Sequence, residues 1–189
     1  MSVKSVKLML SPSLKAKGFK SRNTAWNRSV EDFIDVLDLQ ESKDRSACTL
    51  NVGVCHTGTF KKCWGKGPKP FVDEADCVVR SRIGLLIGER DVWWPEDDPE
   101  APERLHELVS NVALPFLDRM HSLESMRQFL EESGAQNLSY PLPALYLAII
   151  VHELGDEDFC RRLNDLREKS RGAWTARITE VAQRIGCSE

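Results

Sequence analysis

The feature that most constrains the fold is a change in the spacing of apolar residues near residue 96. Before this point, apolar residues alternate with the period of two that is typical of β-strands, as in Leu50, Val52 and Val54. After Pro102 they recur every three or four positions, which is the period of an α-helix. We therefore expect an α+β fold in which helices follow a sheet.

The first residues predict a helix ahead of the sheet. Its apolar positions have helical spacing and are Val3, Val6, Leu10 and Leu14. Ser11-Pro12 interrupts this pattern, so either the helix kinks at Pro12 or a second helix begins with Ser11 as its cap. Gly18 is expected to end the helical segment.

Four stretches have the pattern of strands. They are Thr24–Val30, Asp32–Glu41, Ala47–His56 and Cys77–Leu86. The third is the clearest, with Leu50, Val52 and Val54 predicted to point inward and Thr49, Asn51, Gly53 and Cys55 outward.

The residues between the last two strands, Thr57–Asp76, are rich in glycine and proline and are predicted to form a long loop. The loop contains a basic run with one aromatic residue, namely Lys61, Lys62, Trp64, Lys66 and Lys69. Such a run suits a nucleic acid or an acidic partner, although a solvated loop is the simpler interpretation.

After residue 96, the apolar periodicity and the helix stop signals predict about five helices. They cover Leu105–Met120 with a kink or break at Pro115, a segment from Ser122 to Gly134, the apolar Leu142–Leu154 followed by Gly155, a segment capped by Asp156, and a last helix ending at Gly186. The complete prediction is an N-terminal helix packed on a mainly antiparallel sheet of about four to five strands, followed by a C-terminal all-helical bundle. The predicted division is residues 1–95 for the sheet domain and 96–189 for the helical region, packed on it or forming a small second domain.

Composition and charge narrow the class of protein. The chain is 41% hydrophobic and 29% charged, which is typical of a folded globular protein. The net charge of −3 argues against a nucleic-acid binder that depends on phosphate contacts. The longest apolar run, Leu142–Val151, is too short to cross a bilayer, and the N-terminus lacks a signal-peptide pattern. We expect a cytoplasmic protein without membrane association.

The six cysteines are Cys48, Cys55, Cys63, Cys77, Cys160 and Cys187. Without a secretory signal, they are expected to be reduced thiols. Cys55-His56 with Cys63 and Cys77 is the nearest approach to a metal-ligand set, but it lacks the tight pairs of zinc sites. We therefore predict no metal, no cofactor and no catalytic residue.

The stretch Cys77–Gly84 carries the candidate ligand site. As a strand it places Arg80 and Arg82 on one face, roughly 6–7 Å apart, where both guanidinium groups can hold a phosphate or a carboxylate. The alternative is that both arginines lie on a solvated face or pair with cross-strand acids such as Asp35 or Asp38.

The tryptophan pair Trp93-Trp94 follows this stretch. Adjacent side chains of an extended segment point to opposite sides, so one tryptophan is expected to pack beneath the sheet and the other to be reachable by a ligand. Alternatively, both pack the corner between sheet and helices. If the strands are neighbours, polar residues converge on one patch. The candidate ligand-binding residues are Gln40, Asn51, Arg80, Arg82, Trp93 and Trp94.

The chain resembles the bacterial family called domain of unknown function 4304 in several motifs and in their order. The motifs are Leu14 with Gly18-Phe19-Lys20, Val36 to Gln40 with Ser42, Leu50 to Val54, Cys77 with Arg80, Arg82 and Gly84, Trp93-Trp94, and Leu114 to Leu117. The resemblance covers roughly residues 3–135. It implies a small α+β fold with a helix against an antiparallel sheet, and it implies no substrate or activity. Asp38 stands where the resemblance leads us to expect an asparagine.

Two functional interpretations stay open. The first is a non-enzymatic cytoplasmic binding or interaction protein, for example an immunity-like or accessory factor, whose partner is another protein. It rests on the lack of a motif for an activated nucleophile, a phosphate loop or a metal set. The second is an enzyme or sensor that binds a small anionic ligand, such as a nucleotide, through Arg80 and Arg82. In that case Cys55-His56 or Cys77 is the nucleophile to consider. The balance leans against an enzyme, and nucleic-acid binding is least favoured.

Overall fold

The computed structural model of the protein describes residues 3–133 and 140–187. The chain forms two compact units. We call Met1–Cys55 with Pro70–Arg119 the sheet unit, and His56–Lys69 with Met120–Glu189 the helical unit. The predicted domain boundary after Pro95 stays a prediction. The described residues contain no helix that is long and apolar enough to span a membrane.

Helix α1 (Val3–Ala16) opens the sheet unit and buries Val6, Leu10 and Leu14. Pro12 lies inside this one continuous helix, so the alternative of a second helix that begins with Ser11 as its cap is wrong. Pro12 is exposed, which leaves room for its ring on the solvent side. Gly18 follows with φ +86° and the Phe19 N–H donates to the Leu14 carbonyl, which is the predicted glycine-terminated helix end.

Within residues 3–133 and 140–187, the sheet has six strands. They are β1 (Lys20–Arg22), β2 (Ala25–Val30), β3 (Phe33–Glu41), β4 (Ala47–His56), β5 (Val79–Arg82) and β6 (Trp94–Pro95). The order is β1-β2-β3-β4-β5, and β6 also pairs with β4. The pairs β1–β2, β2–β3, β4–β5 and β4–β6 are antiparallel. The predicted α+β fold, with a helix ahead of an antiparallel sheet and helices after it, is confirmed.

Strand β4 is buried on both faces, which corrects the prediction that Thr49, Asn51, Gly53 and Cys55 point outward. Thr49, Asn51 and Cys55 are as buried as Leu50 and its neighbours. The cause is the segment between residues 70 and 78, which crosses that face of the sheet. Its Val72 exchanges two hydrogen bonds with the Asn27 side chain, of 2.6 and 3.1 Å, and its Cys77 lies against Gly53.

The prediction of a continuous loop over Thr57–Asp76 is wrong. Residues Thr57–Trp64 form helix α2, and Glu74–Asp76 form a 3₁₀ turn. The His56 side chain accepts the Thr59 N–H at the start of α2, and Gly65, with φ +73°, ends it. Phe60 and Cys63 are buried at helical spacing, so tertiary burial outweighs the glycine signal.

The predicted strand over Cys77–Leu86 is also too long. Strand β5 ends at Arg82, and Ile83–Leu86 form the short helix α3. The chain folds back so closely here that a Cβ on Gly84 would lie 2.5 Å from the Arg90 carbonyl oxygen. Gly84 is therefore part of a tight reversal, not of a strand face.

The remaining helices follow the predicted periodicity. They are α4 (Ala101–Leu108), α5 (Leu114–Arg119), α6 (Leu123–Glu132), α7 (Leu142–Glu153), α8 (Phe159–Lys169) and α9 (Ala173–Arg184). Between α4 and α5 the chain keeps a π-helical turn over Val109–Ala113. Pro115 cannot donate a backbone hydrogen bond. The wider π-helical turn lies just before Pro115, the position at which a kink or break is predicted. The predicted stop at Gly134 lies outside the described residues.

The structure joins Cys160 and Cys187 in a disulfide and leaves Cys48, Cys55, Cys63 and Cys77 as buried free thiols. The expectation that all six thiols are reduced is therefore wrong for this pair. Their Cα atoms lie 5.5 Å apart, within the range for a disulfide. Because the two residues are 27 positions apart, only the folded chain reveals their proximity.

Candidate functional site

A polar hollow opens on the sheet unit beside β5. It is lined by Gln40, Asn51, Glu74, Arg80, Ser81, Arg82, Leu85 and Asp91 and has a volume of about 430 Å³. Four of the predicted ligand-binding residues, Gln40, Asn51, Arg80 and Arg82, therefore line one concavity. We use the name polar hollow for this set of residues below.

The register of β4 and β5 brings the arginines to one face. Asn51 lies opposite Arg82, and Gly53 lies opposite Arg80. Directly opposite residues of an antiparallel pair share a face, so both arginines and Asn51 leave the same side of the sheet. Gln40 joins them from β3, because its Oε1 accepts a 3.0 Å hydrogen bond from the Asn51 side chain.

Arg80 is held by Glu74, which the 3₁₀ turn places at the rim of the polar hollow. Its Nε and Nη2 donate to the two Glu74 oxygens over 2.7 and 2.8 Å. The cross-strand acids expected for this role have other partners. Asp35 binds Arg28 over 2.7 Å, and Asp38 accepts from Thr24 over 3.4 Å.

Arg82 is held differently. Its Nη1 donates to Asp91, its Nη2 lies 3.4 Å from Gln40 Oε1, and its guanidinium carbon lies 5.3 Å from the centre of the Trp93 ring. The hydrogen bond from Arg82, assisted by one from Trp93, lowers the pKa of Asp91. Arg82 is therefore both paired and stacked on an aromatic face.

The two tryptophans separate as predicted for an extended segment. Trp94 is buried in β6, opposite Cys48, and has no part in lining the polar hollow. Trp93 is half-buried and reaches Arg82. Neither tryptophan lines the polar hollow, but Trp93 borders it through its contact with Arg82.

Sequence reasoning missed four residues of the polar hollow: Glu74, Ser81, Leu85 and Asp91. Glu74 lies in the segment predicted to be a loop, and Asp91 lies between the predicted strand and the tryptophan pair. The one sequence feature that points to them is an acidic residue on each side of the strand that carries Arg80 and Arg82. Close by, burial and then the negative charge of Glu74 raise the pKa of Asp38, although hydrogen bonds from Asn51 and Thr24 oppose the shift.

The free cysteines are poorly suited to nucleophilic chemistry. Burial raises the pKa of Cys55 and of Cys63 to about 12 and the pKa of Cys77 well above its ordinary value. The reactive form of cysteine is the thiolate, which such pKa values disfavour at neutral pH. Within residues 3–133 and 140–187, no group of three or more His, Cys, Asp or Glu side chains is arranged to hold a metal ion.

The helical unit contains a separate polar cluster around Glu153. The Thr59 hydroxyl donates to Glu153 over 2.5 Å and the Lys62 ammonium over 3.1 Å. The Thr59 N–H donates to His56 Nδ1 over 3.2 Å, so this nitrogen is an acceptor. These bonds fix the first turn of α2 against α7.

The predicted basic run is mostly part of α2. Its Trp64 donates to the Tyr146 hydroxyl over 3.0 Å and lies 4.8 Å beneath the Arg177 guanidinium. Trp64 is therefore engaged in packing within the helical unit, which weakens the interpretation of this run as a nucleic-acid platform.

The fold and the polar hollow define an α+β protein with an open, charged surface on its sheet. A family model described as Domain of unknown function (DUF4304) matches residues 10–119. This match covers more than half of the chain, so the protein belongs to that family, and the resemblance is confirmed. The match ends at Arg119, where the sheet unit also ends. Comparisons with curated proteins and with solved structures found no match.

Proposed function

We propose that this member of the family is a non-enzymatic binding protein that contacts a partner protein through the polar hollow. The observation that carries the proposal is the grouping of Arg80, Arg82 and Leu85 around one open hollow, with Trp93 in contact with Arg82. Arginine and tryptophan are enriched among the residues that dominate binding energy at protein interfaces.

The openness of the polar hollow favours a protein over a small molecule. Pockets for small ligands typically bury about 70–90% of the ligand surface. Here the Leu85 residue is 58% exposed, and the Asp91 side chain is 52% exposed. A ligand of nucleotide size would stay largely in water at this site, whereas a protein would cover the whole rim.

The charge balance of the polar hollow points the same way. Each arginine already has an internal carboxylate, Glu74 for Arg80 and Asp91 for Arg82. A nucleotide held by both arginines would have to displace both carboxylates. The alternative function, an enzyme or sensor for a small anion, is therefore the second choice.

The more specific expectations from the sequence, on the role of the protein, its origin and its location, are part of the proposal. An immunity-like or accessory role, in which the protein covers a partner, fits an exposed surface of mixed charge. The expected bacterial origin stays a prediction. The expected cytoplasmic location also stays a prediction, and the Cys160–Cys187 disulfide weighs against it because disulfides persist mainly in oxidising compartments.

The test compares the wild-type protein with the double variant Arg80→Gln, Arg82→Gln. The matched control is Arg45→Gln, Arg104→Gln, which makes the same charge change at exposed positions of the same unit. Each protein is used to capture partners from its source, and every captured protein is then purified and titrated by calorimetry. We expect at least tenfold weaker binding to the first variant only, the size typical of lost interface anchors.

Two results would contradict the proposal. Equal affinities of all three proteins for every captured partner would remove the polar hollow from the interface. Thermal stabilisation of the wild type by AMP or inorganic phosphate, lost in the first variant, would instead favour the small-anion function through linkage.

A further inference from the structure

We infer that the partner presents an acidic side chain beside an apolar one, and that its carboxylate replaces Asp91 on Arg82. The inference rests on the proposed function and specifies the chemistry of the partner. Asp91 then acts as an internal substitute that occupies Arg82 until the partner arrives.

The two arginines of the polar hollow differ in how firmly they are held. Arg80 makes two hydrogen bonds to Glu74, whose side chain is only 14% exposed. Arg82 is bound to Asp91 through Nη1 alone, and the Asp91 side chain, which also accepts a hydrogen bond from Trp93, is 52% exposed. An exposed ion pair with a single contact contributes little, so the carboxylate on Arg82 is the one that an incoming group can exchange.

Arg82 can also donate more hydrogen bonds than it does in this structure. A guanidinium has five N–H donors. Apart from Asp91, its one acceptor within the described residues is Gln40, at 3.4 Å. A carboxylate that approaches in the guanidinium plane can make two parallel hydrogen bonds, which is stronger than one. The Trp93 ring centre lies 5.3 Å from the guanidinium carbon, and this cation–π contact helps to keep Arg82 at the polar hollow when Asp91 is exchanged.

Leu85 defines the second half of the recognition. It lines the same hollow as Arg82 and Asp91, and it is one of the exposed large hydrophobic residues of the chain. An apolar side chain that packs on Leu85 removes apolar surface from water on both partners. A free phosphate or a lone carboxylate gains nothing from Leu85, so the acidic residue must come with an apolar neighbour.

The probe is a capped pentapeptide, acetyl-Gly-Leu-Asp-Leu-Gly-amide, together with a matched peptide that has Asn in place of Asp. Both are titrated into the full-length, isotope-labelled protein and followed by amide NMR shifts. We expect the acidic peptide to shift amides around the polar hollow. The Asn peptide, and the Arg82→Gln protein with the acidic peptide, are expected to show no such shifts.

The decisive variant is Asp91→Asn, which removes the internal competitor. We expect it to bind the acidic peptide roughly two- to fivefold more tightly, the size of a lost exposed ion pair. The control is Asp165→Asn in the helical unit, where the side chain is similarly exposed at 51%. This control is expected to leave the affinity unchanged.

The possible outcomes separate this inference from the proposed function. An unchanged affinity in Asp91→Asn, equal binding of the two peptides, or no binding at millimolar peptide overturns the inference. If a captured partner still depends on Arg80 and Arg82, the proposed function survives that result. Tighter binding of inorganic phosphate or AMP than of the peptide overturns both. Amide dispersion of each variant confirms that it is folded.

Discussion

The Cys77 sulfur lies 2.8 Å from the position that a Cβ on Gly53 would occupy. The Val79 carbonyl oxygen lies 3.1 Å from the same position, so the backbone limits any relaxation. Gly53 therefore allows the segment between residues 70 and 78 to cross the sheet and form one wall of the polar hollow.

Gly53→Ala is expected to destabilise the protein by about 1–3 kcal/mol, because overpacking displaces its neighbours. Urea unfolding monitored by circular dichroism measures this change. The control is Gly67→Ala, where an added Cβ meets nothing within 4 Å and the expected change is within about 0.5 kcal/mol. Equal stabilities of the two variants would show that Cys77 and Val79 can move away from Gly53 at little cost.

Arg28 is a half-buried arginine of the sheet unit, paired with a buried carboxylate. It donates to the buried Asp35 over 2.7 Å and to Asp118 over 2.5 Å, and it lies 4.9 Å from the Phe19 ring centre. Arg28→Met is expected to cost about 3–5 kcal/mol, since it removes the cation that compensates a buried carboxylate. The measurement is the free energy of unfolding in urea.

Two controls test whether burial is the cause. Arg104→Met removes an arginine whose pair with Glu100 is exposed, and it is expected to change stability little. The double variant Arg28→Met, Asp35→Asn removes both charges and is expected to regain part of the loss. No recovery in the double variant would mean that packing on Phe19, not charge compensation, accounts for the loss.

The order and type of most elements could be predicted from the sequence. Alternation identified β4 with the bounds Ala47–His56 that the structure has, and the apolar α7 was equally clear. The failures arose where tertiary contacts decide. Gly58 suggests a loop, yet a Cβ there would lie 2.9 Å from the His56 ring. The glycine suits this position in α2 because the side chain of His56, which caps the helix, lies close over it.

The candidate site could be predicted only in part. Period-two spacing is sufficient to place Arg80 and Arg82 on one face, and the register with β4 then adds Asn51. The carboxylates on these arginines could not be predicted, because Glu74 and Asp91 reach them from irregular segments. Side-chain pairing across such segments depends on chain reversals that no periodicity encodes.

The Cys160–Cys187 disulfide should contribute measurable stability. By the chain-entropy relation, closing a loop of this length is worth about 3–4 kcal/mol. The double variant Cys160→Ser, Cys187→Ser is therefore expected to unfold at lower urea than the wild type. Reducing agent should lower the wild-type midpoint toward that of the variant and leave the variant unchanged.

A thiol count checks the same assignment independently. Denatured, unreduced protein is expected to show four reactive thiols, which correspond to the four free cysteines. Six thiols in freshly prepared protein, with no effect of reducing agent on the wild type, would exclude the disulfide.

His152 should make stability depend on pH. Its Nε2–H donates to the Ile185 carbonyl over 3.3 Å, while Nδ1 is buried without a hydrogen-bond partner in the described structure. Burial, assisted by the positive charge of Lys62, lowers the pKa of His152, and the opposing charge of Glu153 does not offset this. The neutral ring is therefore the form that the fold prefers.

The sign of the effect follows from proton binding. A histidine in the unfolded chain has a pKa of about 6.5, so below this pH the unfolded state binds a proton before the folded state does. Stability contributed by His152 is present above about pH 6.5 and is lost as the pH falls toward the lowered pKa of the folded state.

Urea unfolding of wild type and His152→Gln at pH 8 and pH 5 measures this loss of stability. The loss of stability between these pH values should be smaller in the variant, and other titrating groups cancel in this comparison. Equal losses in the two proteins would show that the ring accepts its proton without penalty in the fold.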